Sequence, residues 1–319
     1  MTDENSTTVV PPALAGERLD KIAAIVFPAY SRVELTRWIT AGLLTVDGRA
    51  VKPKLRCRGG EQLALSAEAE PREYWETPEA VPLDILFEDE DLLVLNKPAG
   101  LVVHPGAGNR NGTLVNGLIH HRETLAQLPR AGVVHRLDKD TSGVMVVAAS
   151  TNAHRVLTGM IAAREVRREY LGITEGRMIS GRDVDEPIGR DPHVRTRQAI
   201  RDDGKPAFTE FRVKSRYRVH TMVHARLHSG RTHQIRVHLQ SIGFPLVGDR
   251  RYGARGRVPQ GADQSLVDYL QRFPRQALHA ARLVFVHPGS EKELEFNAPL
   301  PQDMENLKKL LAEDIGKNV

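Results

Sequence analysis

"HRLDKDTSGVMVVAA", residues 135–149, joins a dense group of charges to a run with none. The apolar half, from Gly143 onward, reads as a buried strand bounded by turn residues. The polar half packs His135, Arg136, Asp138, Lys139 and Asp140 into a short loop whose position that strand fixes. Such a loop is either a solvated turn capped by Asp138 or a mount for a reactive carboxylate beside counter-cations. The residues alone leave both readings open.

Working outward, "TNAHRVLTGMIAAREV" (151–166) predicts a helix with Ala153, Val156, Leu157, Met160 and Ile161 on one face. "LDILFEDEDLLVLNKP" (83–98) reads as strand, acidic turn, strand. "REYLGITEG" (168–176), the long stretch 207–239 and "ARLVFVHP" (281–288) read as further strands, several alternating by twos. "PQDMENLKKLLAEDI" (301–315) predicts a last helix, with Pro301 near its first turn. Mostly strands with a few helices indicates an α+β domain on a mixed or antiparallel sheet over 82–315.

The N-terminal part has a different texture. Residues 1–15 read as a disordered tail. Helical spacing of Leu19, Ile22, Ala23 and Val26 stops at Pro28, and a second helix runs from a Ser31/Glu34 capping box to Gly42. "LLTVDGRAV" (43–51) reads as a strand, an Asp47-Gly48 turn and the start of a second strand, with "EQLALS" (61–66) as another. Residues 16–66 thus form a small α/β module, and acidic, proline-containing residues 67–81 read as a linker.

Net charge is +5, unevenly placed. Residues 17–65 carry nine Lys and Arg against five acids, 66–91 one against ten, and 182–257 seventeen against eight. Two basic blocks separated by an acidic one suit two surfaces that face a polyanion, although solvated arginine-rich faces give the same numbers. One cysteine, Cys57, excludes an internal disulfide framework and a cysteine-based zinc cluster. The start lacks a basic region followed by an apolar one, and no apolar run approaches a membrane span, so a cytoplasmic location is expected.

His228, His233 and His238 recur every five residues, with no carboxylate among them, so hydrogen bonding within a sheet or contact with phosphate is expected rather than metal binding. "HPGAGNRNGT" (104–113) lacks the ending of a phosphate loop and reads as a flexible surface loop. No GxSxG nucleophile elbow is present. Asp138 remains as the candidate. Arg136 and Lys139 diverge from it along the loop, so its cationic partner must come from another strand. "GRTHQIR" (230–236) offers Arg231 and Arg236, the former after a glycine that admits close approach.

"HRLDKDTSG", "REY" at 168–170, "GRTHQIRVHL" at 230–239, "PLVGDRRYG" at 245–253 and "ALHA" at 277–280 occur in that order. Together they resemble the RluA/RluD-type family of RNA pseudouridine synthases from residue 17 to about 315. The first module resembles the S4 RNA-binding domain, an arrangement similar to the RluC and RluD branches; "VHPGAGNRNGT", "RQALHA" and "PQDM" look closest to RluD. The resemblance implies the pseudouridine synthase fold, a catalytic domain on a large mixed, mainly antiparallel sheet flanked by helices and loops. It implies an isomerase that needs no cofactor or metal and acts on 23S rRNA in the large-subunit precursor, on uridines of the subunit-interface stem-loop.

By the same resemblance Asp138 is the catalytic carboxylate, Tyr170 stacks on the uracil and assists the final proton removal, and Arg231 pairs with the carboxylate. Arg136 enters the RNA, Leu278 packs on the base beside His279 and Ala280, and His135 and Arg236 meet the substrate. Arg32, Arg37, Lys52, Lys54, Arg56 and Arg58 grip folded RNA. Attack at C1′, attack at C6 and a glycal route all stay open. So do an RluC-like choice of other 23S sites and a non-catalytic ribosome-assembly role. No membrane or small-molecule partner is implied, and a monomer is the expected state.

Overall fold

The computed structural model describes residues 5–27, 30, 32–66, 77–106, 108–194 and 196–316, except the side chains of residues 5 and 32–34. The chain divides into two compact units, residues 1–73 and 74–319.

In the first unit, β1 (Asn5–Val9), α1 (Leu19–Val26), α2 (Arg32–Ala41), β2 (Leu44–Val46) and β3 (Gln62–Ser66) follow in order. Leu19, Ile22 and Ala23 on one face of α1 pack with Leu35, Trp38 and Ile39 of α2 and with Leu63 and Leu65 of β3. The Ser31/Glu34 capping box lies outside the described residues.

Two expectations fail here. Residues 5–9 are not part of a disordered tail: they pair antiparallel with β3, and Pro12–Leu14 form a 3-10 turn that leads into α1. Consecutive β-branched residues, Thr7, Thr8 and Val9, favour a strand, and β3 offers the open edge that pays for ordering it. The second strand of the predicted hairpin does not form either. Beyond the Asp47-Gly48 turn a single Val46–Arg49 bridge remains, because β2 takes β3 as its neighbour.

The second unit holds β4 (Ile85–Glu88), β5 (Leu92–Lys97), α3 (Leu114–His121), β6 (Ser142–Ala148), α4 (Thr151–Ala162) and β7 (Arg167–Glu175). Next come β8 (Arg182–Asp185), β9 (Ile188–Arg190), β10 (Gln198–Ile200), β11 (Phe208–Arg216) and β12 (His220–Leu227). The chain ends with α5 (Gln234–Ser241), α6 (Gln264–Arg272), β13 (Leu278–Val286), β14 (Glu293–Asn297) and α7 (Gln302–Gly316).

Nine strands form one sheet in the order β4-β5-β6-β13-β7-β12-β11-β8, with β14 also on β13; β9 and β10 make a separate ribbon. Only the β6–β13 pairing within that sheet is parallel, so the expected mixed, mainly antiparallel architecture is present. Every residue of β6 is buried, in one core with α3 and α4, which accounts for its unbroken apolar run. Gly143 has φ 117°, and a Cβ there would lie 2.1 Å from the Ala280 carbonyl oxygen. A side chain at 143 would therefore break the one parallel contact that brings β13 beside the 135–143 loop.

Residues 234–239 were expected in a strand and lie in helix α5. Six of its eight residues, Gln234 to Leu239, are buried, so no polar face marks the helical period in the sequence. The expected loop 104–113 ends in a helix start: Thr113 and Asn116 form a capping box for α3. Ala107, inside that loop, lies outside the described residues. Linker residues 77–79 are tied down, since the Thr77 carbonyl accepts from Asn116 Nδ2 and the Glu79 N–H donates to the Asn116 carbonyl. No helix among the described residues is long and apolar enough to cross a membrane.

Candidate active site

The 135–143 loop is held from three sides. Lys97, at the end of β5 and 1% exposed, donates to the carbonyls of Pro98 (2.7 Å), Leu101 (2.9 Å) and Lys139 (3.0 Å). Burial pulls its pKa down to about 7 against the opposing charges of Asp140 and Asp138. Arg275 donates to the Asp140 carbonyl while Asp303 of α7 grips the same guanidinium at 2.6 and 2.8 Å. His135 turns onto β6, where its Nε2 accepts the Val146 N–H at 3.1 Å. Burial holds that imidazole neutral, at a pKa of about 3, so His135 braces the loop while it lines the cleft. The loop's backbone closes with the Thr141 N–H donating to the Asp138 carbonyl.

Asp138 thereby faces a cleft of about 610 Å³, also lined by Tyr170, Leu278, Arg136 and the 227–236 segment. Its side chain is 18% exposed. Arg236, not Arg231, is its partner: Arg236 Nη1 donates to Asp138 Oδ2 at 2.9 Å. The remaining donors of that buried guanidinium go to Asp249, Nε to Oδ2 at 2.7 Å and Nη2 to Oδ1 at 2.9 Å. Burial works against the charge on Arg236, but the bonds and charges of Asp249 and Asp138 outweigh it and raise its pKa. The Tyr252 ring lies 4.9 Å from the guanidinium carbon and covers it.

Arg231 points away. Its Nε donates to the Pro206 carbonyl at 3.0 Å and its N–H to Gln234 Oε1. The reason is local: His233 has φ 57°, in the left-handed region, and starts α5 directly afterwards. That turn carries Arg236 inward on the first turn of the helix and leaves Arg231 on the approach to it. The cleft lining includes Arg231, so it borders the site without touching the carboxylate.

His233 is a site residue that sequence reasoning set aside. Tyr252 Oη accepts the Gln198 N–H at 2.8 Å, so its hydroxyl proton goes to His233 Nδ1 at 2.7 Å. His233 Nε2 then carries the ring proton and faces Asp138 Oδ2 at 3.9 Å. Burial lowers the His233 pKa against the pull of Asp138. The other histidines of that run bond as a folded scaffold requires, His228 to Glu210 and His238 to Thr209 and the Glu186 carbonyl. No group of metal-ligating side chains occurs among the described residues.

Tyr170 stands on β7 opposite Ala225 of β12 and Ala280 of β13. Two small neighbours leave room over its ring. Burial pushes its pKa up to about 12, so at neutral pH it offers a ring face and an O–H donor, not a phenolate. Leu278, buried at the start of β13, supplies an apolar surface to the same cleft. His279, next to it, is occupied by Ser142 and the Ala298 carbonyl. Arg136 is exposed and lines the cleft.

In the first unit Arg37, Lys52, Lys54, Arg56 and Arg58 are exposed, and Arg56 also donates to the Gly16 carbonyl at 2.7 Å. The side chain of Arg32 lies outside the described residues.

Residues 91–241 match the model of the RNA pseudouridylate synthase family, and residues 17–63 match the S4 domain. The chain is 48% identical over 313 residues to "Ribosomal large subunit pseudouridine synthase D" of Escherichia coli K12, covering 98% of this chain and 96% of that protein. It is 49% identical over 305 residues to the protein of the same name from Pseudomonas aeruginosa, covering 96% and 95%. Among solved structures, human RNA pseudouridylate synthase domain containing 4 superposes with a TM-score of 0.55 at 28% identity, over 72% of this chain and 93% of that one.

Proposed function

The chain belongs to the RNA pseudouridylate synthase family, in its ribosomal large subunit pseudouridine synthase D branch, and from that premise we propose that it isomerises uridines of large-subunit 23S rRNA through Asp138. The observation that carries the assignment of Asp138 is the asymmetry of its carboxylate. Oδ2 is held by Arg236, whereas Oδ1 takes no hydrogen bond from the described residues, and the side chain lines the cleft together with Tyr170 and Leu278. A carboxylate anchored through one oxygen keeps the other oriented toward a reacting carbon.

In the reaction the N1–C1′ glycosidic bond breaks, a C5–C1′ bond forms, the C5 proton leaves and N1 gains one. Substrate and product have the same composition. The uridine must leave its stack, which costs about a few kcal/mol that phosphate contacts offset. Fifteen Arg and two Lys over residues 182–257, and the exposed cations of the S4 domain, suit that task. The Tyr170 ring accepts the extruded uracil on one face, and Leu278 packs against it. Arg236 keeps Asp138 oriented, with the His233 ring 3.9 Å from the same oxygen, while negative charge shifts during bond exchange. The target uridines are those of the subunit-interface stem-loop in the precursor of the large subunit.

The test is Asp138→Asn in the full-length protein. Loss of tritium release from 5-tritiated uridine in 23S rRNA, by more than about 10⁴-fold, is expected with affinity for the RNA within about threefold of wild type. Substantial turnover by the variant would remove Asp138 from the mechanism. Mapping pseudouridines in rRNA from cells lacking the protein identifies the sites, and unmodified uridines elsewhere in 23S rRNA would redirect the target.

A further inference from the structure

Arg168 lies on β7 two residues before Tyr170, so both side chains leave the same face of the sheet and both line the cleft. Arg168 is 6% exposed. Its Nε is fully buried without a hydrogen-bond partner, and no carboxylate among the described residues pairs with its guanidinium. The other two buried arginines of this region are treated differently: Arg236 has Asp249 and Asp138, and Arg275 has Asp303. Across the sheet Arg168 meets Leu227 and Leu283, which offer no acceptor. The one acid in the cleft lining is Asp138, and it is already taken.

A buried guanidinium without an anion is a costly arrangement for a free protein. It persists where a ligand supplies the anion. Access is present, because Gly230 sits over the group: a Cβ at 230 would lie 2.8 Å from Arg168 Nη1. The side chains of three more arginines of the cleft, Arg130, Arg136 and Arg164, make no hydrogen bond or ion pair with the described residues. Arg130 and Arg164 hold left-handed backbone, φ 55° and 65°, at positions that are not glycine. The field in the cleft is therefore positive, and the most desolvated cation in it without an acceptor is Arg168. A planar fork of donors carrying full charge suits a phosphodiester, whereas the carbonyl of a neutral uracil leaves the buried charge uncompensated.

We propose that Arg168 is a phosphodiester-binding residue that grips the RNA backbone beside the extruded uridine. This rests on the reading of the cleft as a uridine site. Arg168 is largely desolvated before RNA arrives, with its Nε fully buried, so the phosphate gains a partner that water screens less than the exposed arginines of the rim. The same logic predicts opposite effects on stability and binding.

The experiment compares wild-type protein with Arg168→Met in three measurements: thermal unfolding without RNA, affinity for a 23S rRNA transcript across salt concentrations, and steady-state isomerisation. Arg168→Met is expected to raise the Tm, to reduce the slope of log affinity against log salt by about 0.7–0.9, and to raise KM at least about tenfold with kcat within about threefold. A merely structural arginine lowers the Tm and leaves the slope alone. Gly230→Val is the second variant; it drives a side chain onto Nη1, covers the guanidinium without removing it, and is expected to lower the slope equally. Arg168→Lys keeps the charge and is expected to restore the slope. A wild-type slope in Arg168→Met overturns the proposal, as does a collapse of kcat at unchanged KM. Failure of the wild-type protein to isomerise the transcript would instead overturn the uridine reading of the cleft.

Discussion

The floor of the cleft and the basic edge of the S4 unit use the same kinds of side chain for different work. On the floor, Arg236 is buried and bonded to two carboxylates, with Tyr252 over its plane. On the S4 edge, Lys52, Lys54 and Arg58 are exposed, and their side chains have no acceptor among the described residues. A cation that already owns its anions is an orienting device, insensitive to salt and fixed in geometry. A cation left to solvent attracts any polyanion, at long range and weakly, and salt screens it. Burial and pairing, more than residue type, separate shaping a carboxylate from collecting RNA.

Arg236→Met should have the larger consequence. It leaves Asp249 buried and unpaired and frees Asp138 to rotate, so stability should fall by about 3–5 kcal/mol and turnover on the order of 10²-fold or more. Chemical denaturation and tritium release check both, and a stable, active variant would break the comparison at its buried end. Replacing Lys52, Lys54 and Arg58 together by Gln is the matching test at the exposed end. The salt slope of RNA affinity should drop by about two to three, with kcat and Tm close to wild type. A fall in kcat there would show that the S4 edge does more than collect substrate.

The smallest effect is the most discriminating. Arg231→Leu removes a bond to the Pro206 carbonyl and no contact with Asp138, so turnover should stay within about fivefold of wild type. Loss comparable to that of Arg236→Met would restore Arg231 to the role that its preceding glycine suggests.

These differences follow the range of each signal. β5, β7 and β13 are legible because strand patterns are local, and the apolar run of β6 announces its own burial. The Asp138 loop is legible because so many charges precede that run. α5 is not, since a helix buried on nearly all sides shows no periodic polar face. Lys97 is hidden for a related reason: a lysine that serves three carbonyls looks, in sequence, like any surface lysine. β1 needed the open edge of β3 before its short β-branched run meant anything.

The order of the motifs by itself indicated the S4-plus-catalytic-domain plan and the mainly antiparallel sheet, and singled out Asp138 as the candidate carboxylate. Which arginine meets that aspartate, 98 positions away, was decided by tertiary structure alone. Sequence offered Arg231 and Arg236 five residues apart, with a glycine to favour the first. A single left-handed residue, His233, turns the chain into α5, and Asp249 waits where the second arginine enters. Backbone direction and a buried acid set the pairing, and neither is visible until the chain has folded.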